Sequence, residues 1–219
     1  MSNSGLLVFI SGPSGVGKST ICRRLANDLP GRFALSATTR IGKPQDQWGK
    51  RYVFVDEREF RRRIEQNAFL EYAKVFGHWY GTLKQPVLEA LRAGETVLLE
   101  VDVQGGRQVF QAFPDAVGIF ILPPGEAELV RRLQSRGRDE PAVIQKRLAQ
   151  VQHEIAVAHG SGAYQLMIVN DVLDQTVLKL LEFVRQRRAQ ASSRPQPAGV
   201  PRHGRASTTP TDCSASPGA

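Results

Sequence analysis

The segment from residue 12 to residue 19 restricts the possible folds of this chain more than any other part of it. It has the spacing G-x-x-x-x-G-K-S, and it lies between an apolar run at residues 6–10 and a segment with helical apolar spacing. Glycines in such a loop let backbone N–H groups turn inward around an anion, and the dipole of the following helix favours negative charge. Its last two residues, Lys18 and Ser19, can neutralise phosphates and bind Mg²⁺. The sequence therefore predicts a strand, a phosphate-binding loop and a helix.

Three further apolar runs predict strands that are buried on both faces of a sheet. They lie at residues 97–102, 117–122 and 166–169. Helices are predicted between and after them, at about residues 86–93, 126–135, 142–158 and 173–188. Fully apolar strands that alternate with helices are typical of parallel sheets in α/β proteins. We therefore expect an α/β protein with the three-layer fold of the P-loop NTPases and a parallel core sheet.

Two segments depart from this core pattern. Between residues 35 and 83, short strand-like runs and one helix predict an inserted β-rich subdomain. Between residues 126 and 159, a break that contains glycine joins two predicted helices. Three arginines flank this break, Arg132, Arg136 and Arg147. Arginines around such a hinge, in a chain with a phosphate-binding loop, indicate a mobile helical lid that clamps phosphates.

The remaining segments form the predicted core and a tail. The core comprises residues 5–34, 84–125 and 160–190, so that a single domain spans residues 1–190. Residues 191–219 are rich in Ser, Pro, Gly, Ala and Thr and poor in large apolar side chains, which predicts a disordered tail.

Composition limits the partners and the surroundings of the chain. The formal net charge is +8, but six arginines and one aspartate lie from Arg185 onward, which leaves +3 for the rest. No basic stripe interleaved with aromatic residues is visible, so we expect no nucleic-acid partner. No run approaches the about 18 apolar residues of a membrane span, so we expect no membrane association. Two cysteines, Cys22 and Cys213, offer neither a disulfide framework nor a metal-binding spacing, which favours the cytoplasm.

Several motifs occur in a fixed order along the chain after the phosphate-binding loop. Residues 38–54 read T-T-R-I-G-K-P-Q-D-Q-W-G-K-R-Y-V-F. The others are E-Y-A at residues 71–73, G-H-W-Y-G-T at 77–82, L-E-V-D-V-Q-G at 99–105, R-G at 136–137 and V-N-D at 169–171. Together they resemble the guanylate kinase family over about residues 5–188, whose second motif is T-T-R-x-x-R-x-G-E-x-x-G-x-x-Y-x-F.

The resemblance implies the reaction ATP + GMP ⇌ ADP + GDP with Mg²⁺, by direct in-line transfer. Because the acceptor phosphate is already anionic, no general base is required, and catalysis must come from alignment and charge neutralisation. The residues that the resemblance assigns to ATP are Gly12, Pro13, Ser14, Gly15, Val16, Gly17, Lys18, Ser19 and Arg132. Those that it assigns to GMP are Ser36, Arg40, Lys43, Tyr52, Glu71, Tyr80, Gly81, Thr82 and Asp102. The implied catalytic residues are Lys18, Arg40, Arg136 and Arg147.

Hydrogen-bond chemistry agrees with the implied preference for guanine. Glu71 would accept from guanine N1–H and from its 2-amino group, whereas adenine has a lone pair at N1 and no 2-amino group. Ser36 and Thr82 would donate to guanine O6. Ser19 would ligate Mg²⁺, and Asp102 would serve either the base or the water shell of the metal.

The chain departs from the family pattern at three positions of the second motif. Lys43 replaces an arginine, Gln45 a glycine and Asp46 a glutamate, while the spacing from Arg40 to Tyr52 is unchanged. Two alternatives stay open. A related P-loop kinase of another small molecule would have no use for a carboxylate at the guanine edge. A non-catalytic guanylate-kinase-like module that binds proteins would not need an intact phosphate loop. The oligomeric state is also left open.

Overall fold

A computed structural model describes residues 5–42, 51–75, 77–134 and 141–193. Side chains are described for the same residues except 132–134, 141–147 and 192–193. The described residues form one five-stranded and one four-stranded sheet. Within the described ranges, each helix is too short or too polar to cross a bilayer.

The larger sheet consists of parallel strands, as the apolar runs predicted. They are β1 (Leu6–Ser11), β2 (Gly31–Phe33), β7 (Thr96–Glu100), β8 (Val117–Leu122) and β9 (Leu166–Val169). Their spatial order is β2-β7-β1-β8-β9, and every neighbouring pair is parallel. The carboxyl ends of all five strands therefore lie at one edge of the sheet, which is where ligands bind in folds of this kind.

Helices cover both faces of the larger sheet. The helices are α1 (Lys18–Asp28), α2 (Glu57–Glu65), α3 (Lys84–Arg92), α4 (Val103–Ala112), α5 (Glu126–Gln134), α6 (Pro141–Gly160) and α7 (Leu173–Ser193). Alternate residues of β1 point to opposite faces. Leu6, Val8 and Ile10 join a buried cluster with α1 and α7, whereas Leu7 and Phe9 join a second cluster with α3 and α4. These layers confirm the three-layer α/β fold.

The smaller sheet has its own hydrophobic cluster. Its strands are β3 (Ser36–Thr38), β4 (Tyr52–Phe54), β5 (Phe69–Val75) and β6 (His78–Leu83), in the order β4-β3-β6-β5. Phe60 of α2 is fully buried against this sheet, and its ring stacks on that of Phe69 with the centroids 4.5 Å apart. All these elements lie in the range for which an inserted subdomain was predicted.

The structure corrects two predicted boundaries. The strand expected to end at Asp102 ends at Glu100, and Asp102 instead caps the N-terminus of α4, where its carboxylate accepts from the N–H of Gly105 at 2.7 Å. The helix expected to end at Arg188 continues to Ser193, so residues 191–193 are helical and not part of a disordered tail. Residues 194–219 lie outside the described part of the chain.

Helix α4 was not predicted, because it contains two consecutive glycines that lower helix propensity. Both positions require glycine because another side chain lies too close for a Cβ atom. A Cβ on Gly105 would lie 2.5 Å from Oε2 of Glu71, and a Cβ on Gly106 would lie 2.6 Å from the hydroxyl of Tyr164. Contacts with residues distant in sequence therefore require glycine at positions where local preference disfavours a helix.

Candidate active site

The phosphate-binding loop connects β1 to α1 at the carboxyl edge of the larger sheet. Gly12, Gly15 and Gly17 adopt φ angles of 147°, 92° and 96°, which side chains rarely tolerate. A Cβ on Gly12 would also lie 2.5 Å from the carbonyl oxygen of Ile121. Helix α1 begins at Lys18 without a side-chain cap, so its first N–H groups stay available to an anion.

Two side chains hold the loop in shape. Lys18 Nζ donates to the carbonyl of Gly12 and, at 2.8 Å, to that of Pro13. Asn170, which follows β9 and is 5% exposed, donates from Nδ2 to the carbonyl of Val16 at 2.7 Å. Burial lowers the pKa of Lys18, and the carboxylate of Glu100 opposes that effect most strongly. The ammonium group is thus poorly hydrated, and we expect bound phosphates to replace the carbonyl oxygens as its partners.

The hydroxyl assigned to Mg²⁺ faces a carboxylate that the sequence did not single out. Ser19 Oγ donates to Oε1 of Glu100 at 2.6 Å, and Arg51 Nη2 donates to Oε2 of the same carboxylate at 3.0 Å. Asp102, which the sequence analysis assigned to the metal or the base, caps α4. Its carboxylate is close enough to Glu71 to add to the rise that burial causes in the pKa of Glu71. Within the described residues, no cluster of three or more His, Cys, Asp or Glu side chains could hold a metal ion.

Glu71 lies in β5 of the smaller sheet, where it pairs with Thr82 of β6. It is 6% exposed, and its Oε1 accepts from both the N–H and the hydroxyl of Thr82, at 3.0 and 2.6 Å. Burial raises the pKa of Glu71 to about 7, and the Thr82 hydrogen bonds oppose the rise. The hydroxyl of Thr82 thus donates to Glu71 and fixes the orientation of its carboxylate.

An aromatic and cationic group lies farther along the same sheet. The rings of Tyr52 and Tyr80 meet edge to face with their centroids 6.4 Å apart. The guanidinium of Arg40 lies 5.5 Å from the centroid of Tyr52 and 5.8 Å from that of Phe54. Stacking on aromatic faces preorganises an arginine, and phenolic hydroxyls beside it can donate to the same anion.

One cavity of about 220 Å³ joins the two halves of the site. The predicted site residues that line it are Gly12, Ser14, Lys18, Ser36, Tyr52, Glu71, Tyr80, Gly81 and Asp102. The residues that the sequence analysis assigned to phosphates and to the base edge therefore line one cavity, although the outermost of them, Gly12 and Asp102, are 90 positions apart in the chain.

Other lining residues were missed by the sequence analysis. Glu100 belongs to the L-E-V-D motif but was not given a role. Gln150 and Glu154 of α6 also line the cavity, and Gln150 Nε2 donates to Oε1 of Glu154 at 2.9 Å. Burial raises the pKa of Glu154, which Lys18 counteracts. Their spacing of four on a helix is common to many solvent-exposed pairs, so the sequence carried no signal for them.

For four predicted residues, the side chains lie outside the described part of the chain. Lys43 and Arg136 lie outside the described residues. Arg132 and Arg147 lie in the backbone of α5 and α6, but their side chains are outside the described part of the chain. Their roles stay predictions.

Comparisons with known proteins agree with this geometry. The family model for guanylate kinase matches residues 4–187. The guanylate kinase of Thermosynechococcus vestitus is 45% identical over 177 residues, which are 80% of this chain and 91% of that protein. The guanylate kinase of Anaeromyxobacter dehalogenans is 42% identical over 210 residues, 94% of this chain and 92% of that protein. A crystal structure of guanylate kinase from Anaplasma phagocytophilum superposes with a TM-score of 0.68 at 26% identity, covering 85% of this chain and 88% of that one.

Proposed function

This chain belongs to the guanylate kinase family, and from that premise we propose which of its residues carry out the reaction. The reaction is the ATP-dependent phosphorylation of GMP to GDP, a transferase step of purine nucleotide metabolism. The single observation that supports the assignment of residues is the shared cavity, in which Lys18 of the loop and Glu71 of β5 face the same space.

Glu71 recognises the guanine base in this proposal. In its ionised form it accepts from guanine N1–H and the 2-amino group, and Thr82 keeps it oriented through two hydrogen bonds. Asp102 lies on the base side of the cavity, because it caps α4 beside Glu71 while Glu100 faces Ser19. Ser36, which pairs with Thr82 across β3 and β6, is placed to donate to guanine O6.

The phosphate of GMP is held farther along the same sheet, and that of ATP in the loop. Arg40, Tyr52 and Tyr80 bind the acceptor phosphate, while the loop N–H groups and Lys18 bind the β- and γ-phosphates of ATP. We extend the proposal to Lys43 at the acceptor phosphate and to Arg132, Arg136 and Arg147 at the transferred group, on the sequence pattern alone. Transfer then depends on alignment and charge neutralisation.

The donors near Ser19 suit Mg²⁺. The metal prefers hard oxygen ligands and keeps several waters, and here a hydroxyl at the mouth of the loop is backed by the carboxylate of Glu100. Ser19 would bind Mg²⁺ directly, and Glu100 would hold the serine proton and a water of the metal shell. When bound, Mg²⁺ neutralises charge that develops on the β- and γ-phosphate oxygens.

The proposal also covers the cellular location of the protein and its division into parts. We propose that the enzyme works in the cytoplasm, since a chain with two cysteines offers no disulfide framework and its substrates are metabolites. The division into a core, a GMP-binding insertion at residues 35–83 and a lid at residues 126–159 is likewise a proposal, supported by the second sheet and its separate hydrophobic cluster.

A coupled assay that detects ADP tests the substrate assignment. With ATP and Mg²⁺ fixed, we expect GMP to exceed AMP, CMP and UMP in kcat/KM by at least about a hundred-fold, because a buried hydrogen-bonding carboxylate rejects bases that leave it unpaired. Lys18→Met, which keeps the aliphatic stem, serves as the inactive control. Comparable turnover of AMP and GMP would contradict the role of Glu71.

A further inference from the structure

Arg51 connects the smaller sheet to the carboxyl edge of the larger one. It directly precedes β4, and its carbonyl accepts from the N–H of Ser36 in β3 at 2.9 Å. Its side chain extends toward the core, where the guanidinium stacks on the ring of Phe33 at 4.2 Å and donates to Glu100 at 3.0 Å. The backbone of Arg51 is thus tied to one sheet and its side chain to the other.

The ion pair of Arg51 and Glu100 is unlike the surface pairs of this protein. The two side chains are only 12% and 14% exposed, whereas those of Arg32 and Glu95 are 56% and 30% exposed. Poor hydration strengthens a charge-assisted hydrogen bond and makes the loss of one partner costly. The second oxygen of Glu100 accepts from Ser19, so the arginine also restricts where that serine proton points.

Glu100 would otherwise compete for the cation of the loop. Of the carboxylates around Lys18, it has the largest electrostatic effect on that ammonium group. Without the guanidinium, the poorly hydrated carboxylate of Glu100 would attract Lys18 away from the position that phosphates require.

We propose that Arg51 is a positioning residue for the nucleotide site, which holds Glu100 against Ser19 so that the serine oxygen points to Mg²⁺ and Lys18 stays available to ATP. This inference rests on the proposed role of Ser19 as Mg²⁺ ligand. Because Arg51 directly precedes β4 and its carbonyl accepts from Ser36, it also links the proposed GMP-binding sheet to Ser19 and Glu100 at the proposed metal site.

The test measures binding and not turnover. Calorimetric titration gives the Kd of a non-hydrolysable ATP analogue with Mg²⁺ and with EDTA. The ratio of the Kd in EDTA to the Kd in Mg²⁺ measures how much the metal strengthens binding. In Arg51→Met we expect that ratio to fall about ten-fold, the effect of one charge-assisted hydrogen bond. Arg51→Lys should recover part of it. In a Glu100→Gln background, Arg51→Met should have little further effect, since the charge that needs restraint is gone.

Arg32→Met is the matched control, because it removes the more exposed ion pair of Arg32 in β2 with Glu95 and should leave the ratio unchanged. If Arg51→Met is too unstable to titrate, Arg51→Gln replaces it and must show the same loss. A normal ratio in either neutral variant overturns the inference while leaving the proposed function intact. If Mg²⁺ does not change the affinity of the wild-type protein for the ATP analogue, the proposed role of Ser19 is wrong, and the inference about Arg51 is overturned with it.

Discussion

Burial of Glu71 lowers the stability of the folded protein at neutral and alkaline pH, where its carboxylate is available to recognise guanine. Burial raises its pKa from an ordinary 4.5 to about 7 in the folded protein. The folded state therefore holds the proton more tightly than the unfolded chain does. The corresponding stabilisation is fully present below pH 4.5 and is lost as the pH rises through about 7. At the pH where guanine needs an ionised acceptor, the protein carries a buried charge, which the hydrogen bonds from Thr82 offset in part.

We predict that Glu71→Gln stabilises the protein at alkaline pH and abolishes GMP specificity. Glutamine can still accept from Thr82 but carries no charge, so the free energy of unfolding at pH 8 should rise by up to about 3 kcal/mol, and the gain should shrink toward pH 5. kcat/KM for GMP should fall about a hundred-fold. Chemical unfolding at both pH values checks this, with exposed Glu65→Gln as the control. An equal change at pH 5 and pH 8 would contradict it.

At the scale of elements, the loop after β9 supports the phosphate-binding loop. The Asn170 amide lies 2.7 Å from the Val16 carbonyl, and a Cβ on Gly17 would lie 2.7 Å from the same amide nitrogen. The two loops are therefore packed too closely for Gly17 to carry a side chain. The shape of the ATP site thus depends on β9, an edge strand of the larger sheet.

Asn170→Ala should loosen the phosphate-binding loop. The carbonyl of Val16 loses its partner, which costs about 1–3 kcal/mol of stability. KM for ATP should rise several-fold while KM for GMP changes little. Gln165→Ala is the control, since Gln165 near the start of the same strand accepts from the Gly118 N–H at 2.6 Å and is distant from the loop. Stability should fall in both variants, but only the asparagine variant should change KM for ATP. Equal KM values in the two would show that Asn170 has no effect on the loop.

At the scale of the whole molecule, the smaller sheet has a hydrophobic cluster distinct from the three that pack on the larger sheet, to one of which β5 contributes Leu70. Phe60, Phe69 and Ala37 form the buried part of the cluster of the smaller sheet. Because the base-binding residues lie on the smaller sheet and the loop belongs to the larger, damage to one cluster should affect the substrates unequally.

Phe60→Ala tests this separation. A buried phenylalanine truncated to alanine costs about 3–5 kcal/mol, which here falls on the smaller sheet. We expect KM for GMP to rise at least several-fold, while the Kd of a non-hydrolysable ATP analogue stays within about two-fold, a change of less than about 0.5 kcal/mol. Leu180→Ala in α7 is the counterpart in the main core and should lower the melting temperature without that selectivity. Equal loss of both substrates in Phe60→Ala would mean that the two sheets melt as one unit.

The length of α7 sets where the chain can be shortened. Ala191 packs against the main core cluster, so truncation after Gln190 removes a contact that truncation after Ser193 keeps. We predict that a chain ending at Ser193 retains the melting temperature and the activity of the full chain, because residues 194–219 lack the apolar side chains for a core. The shorter truncation should melt slightly lower. A marked loss in the chain ending at Ser193 would show that the tail contributes to the fold or the site.

Local patterns in the sequence were sufficient for the architecture and the type of chemistry. The phosphate-binding loop is one contiguous motif whose glycines serve backbone geometry, and apolar strands that alternate with helices restrict the sheet to a parallel one. The match of Glu71, Tyr80 and Thr82 to a known order of motifs indicated guanine as the base. The roles of these residues await the experiments above, but the structure places Glu71 and Tyr80 around one cavity and Thr82 against Glu71.

Only the tertiary structure separated the positions of two carboxylates, Glu100 and Asp102, that the sequence placed in a single strand. Glu100 and Asp102 are two positions apart, so an unbroken strand would point both to the same face. The strand ends at Glu100 and the chain turns into α4, which directs Asp102 to the helix N-terminus and leaves Glu100 facing Ser19. Arg51 reaches that carboxylate from 49 positions away. Such contacts depend on where sheets and helices meet in space, and no local spacing encodes them.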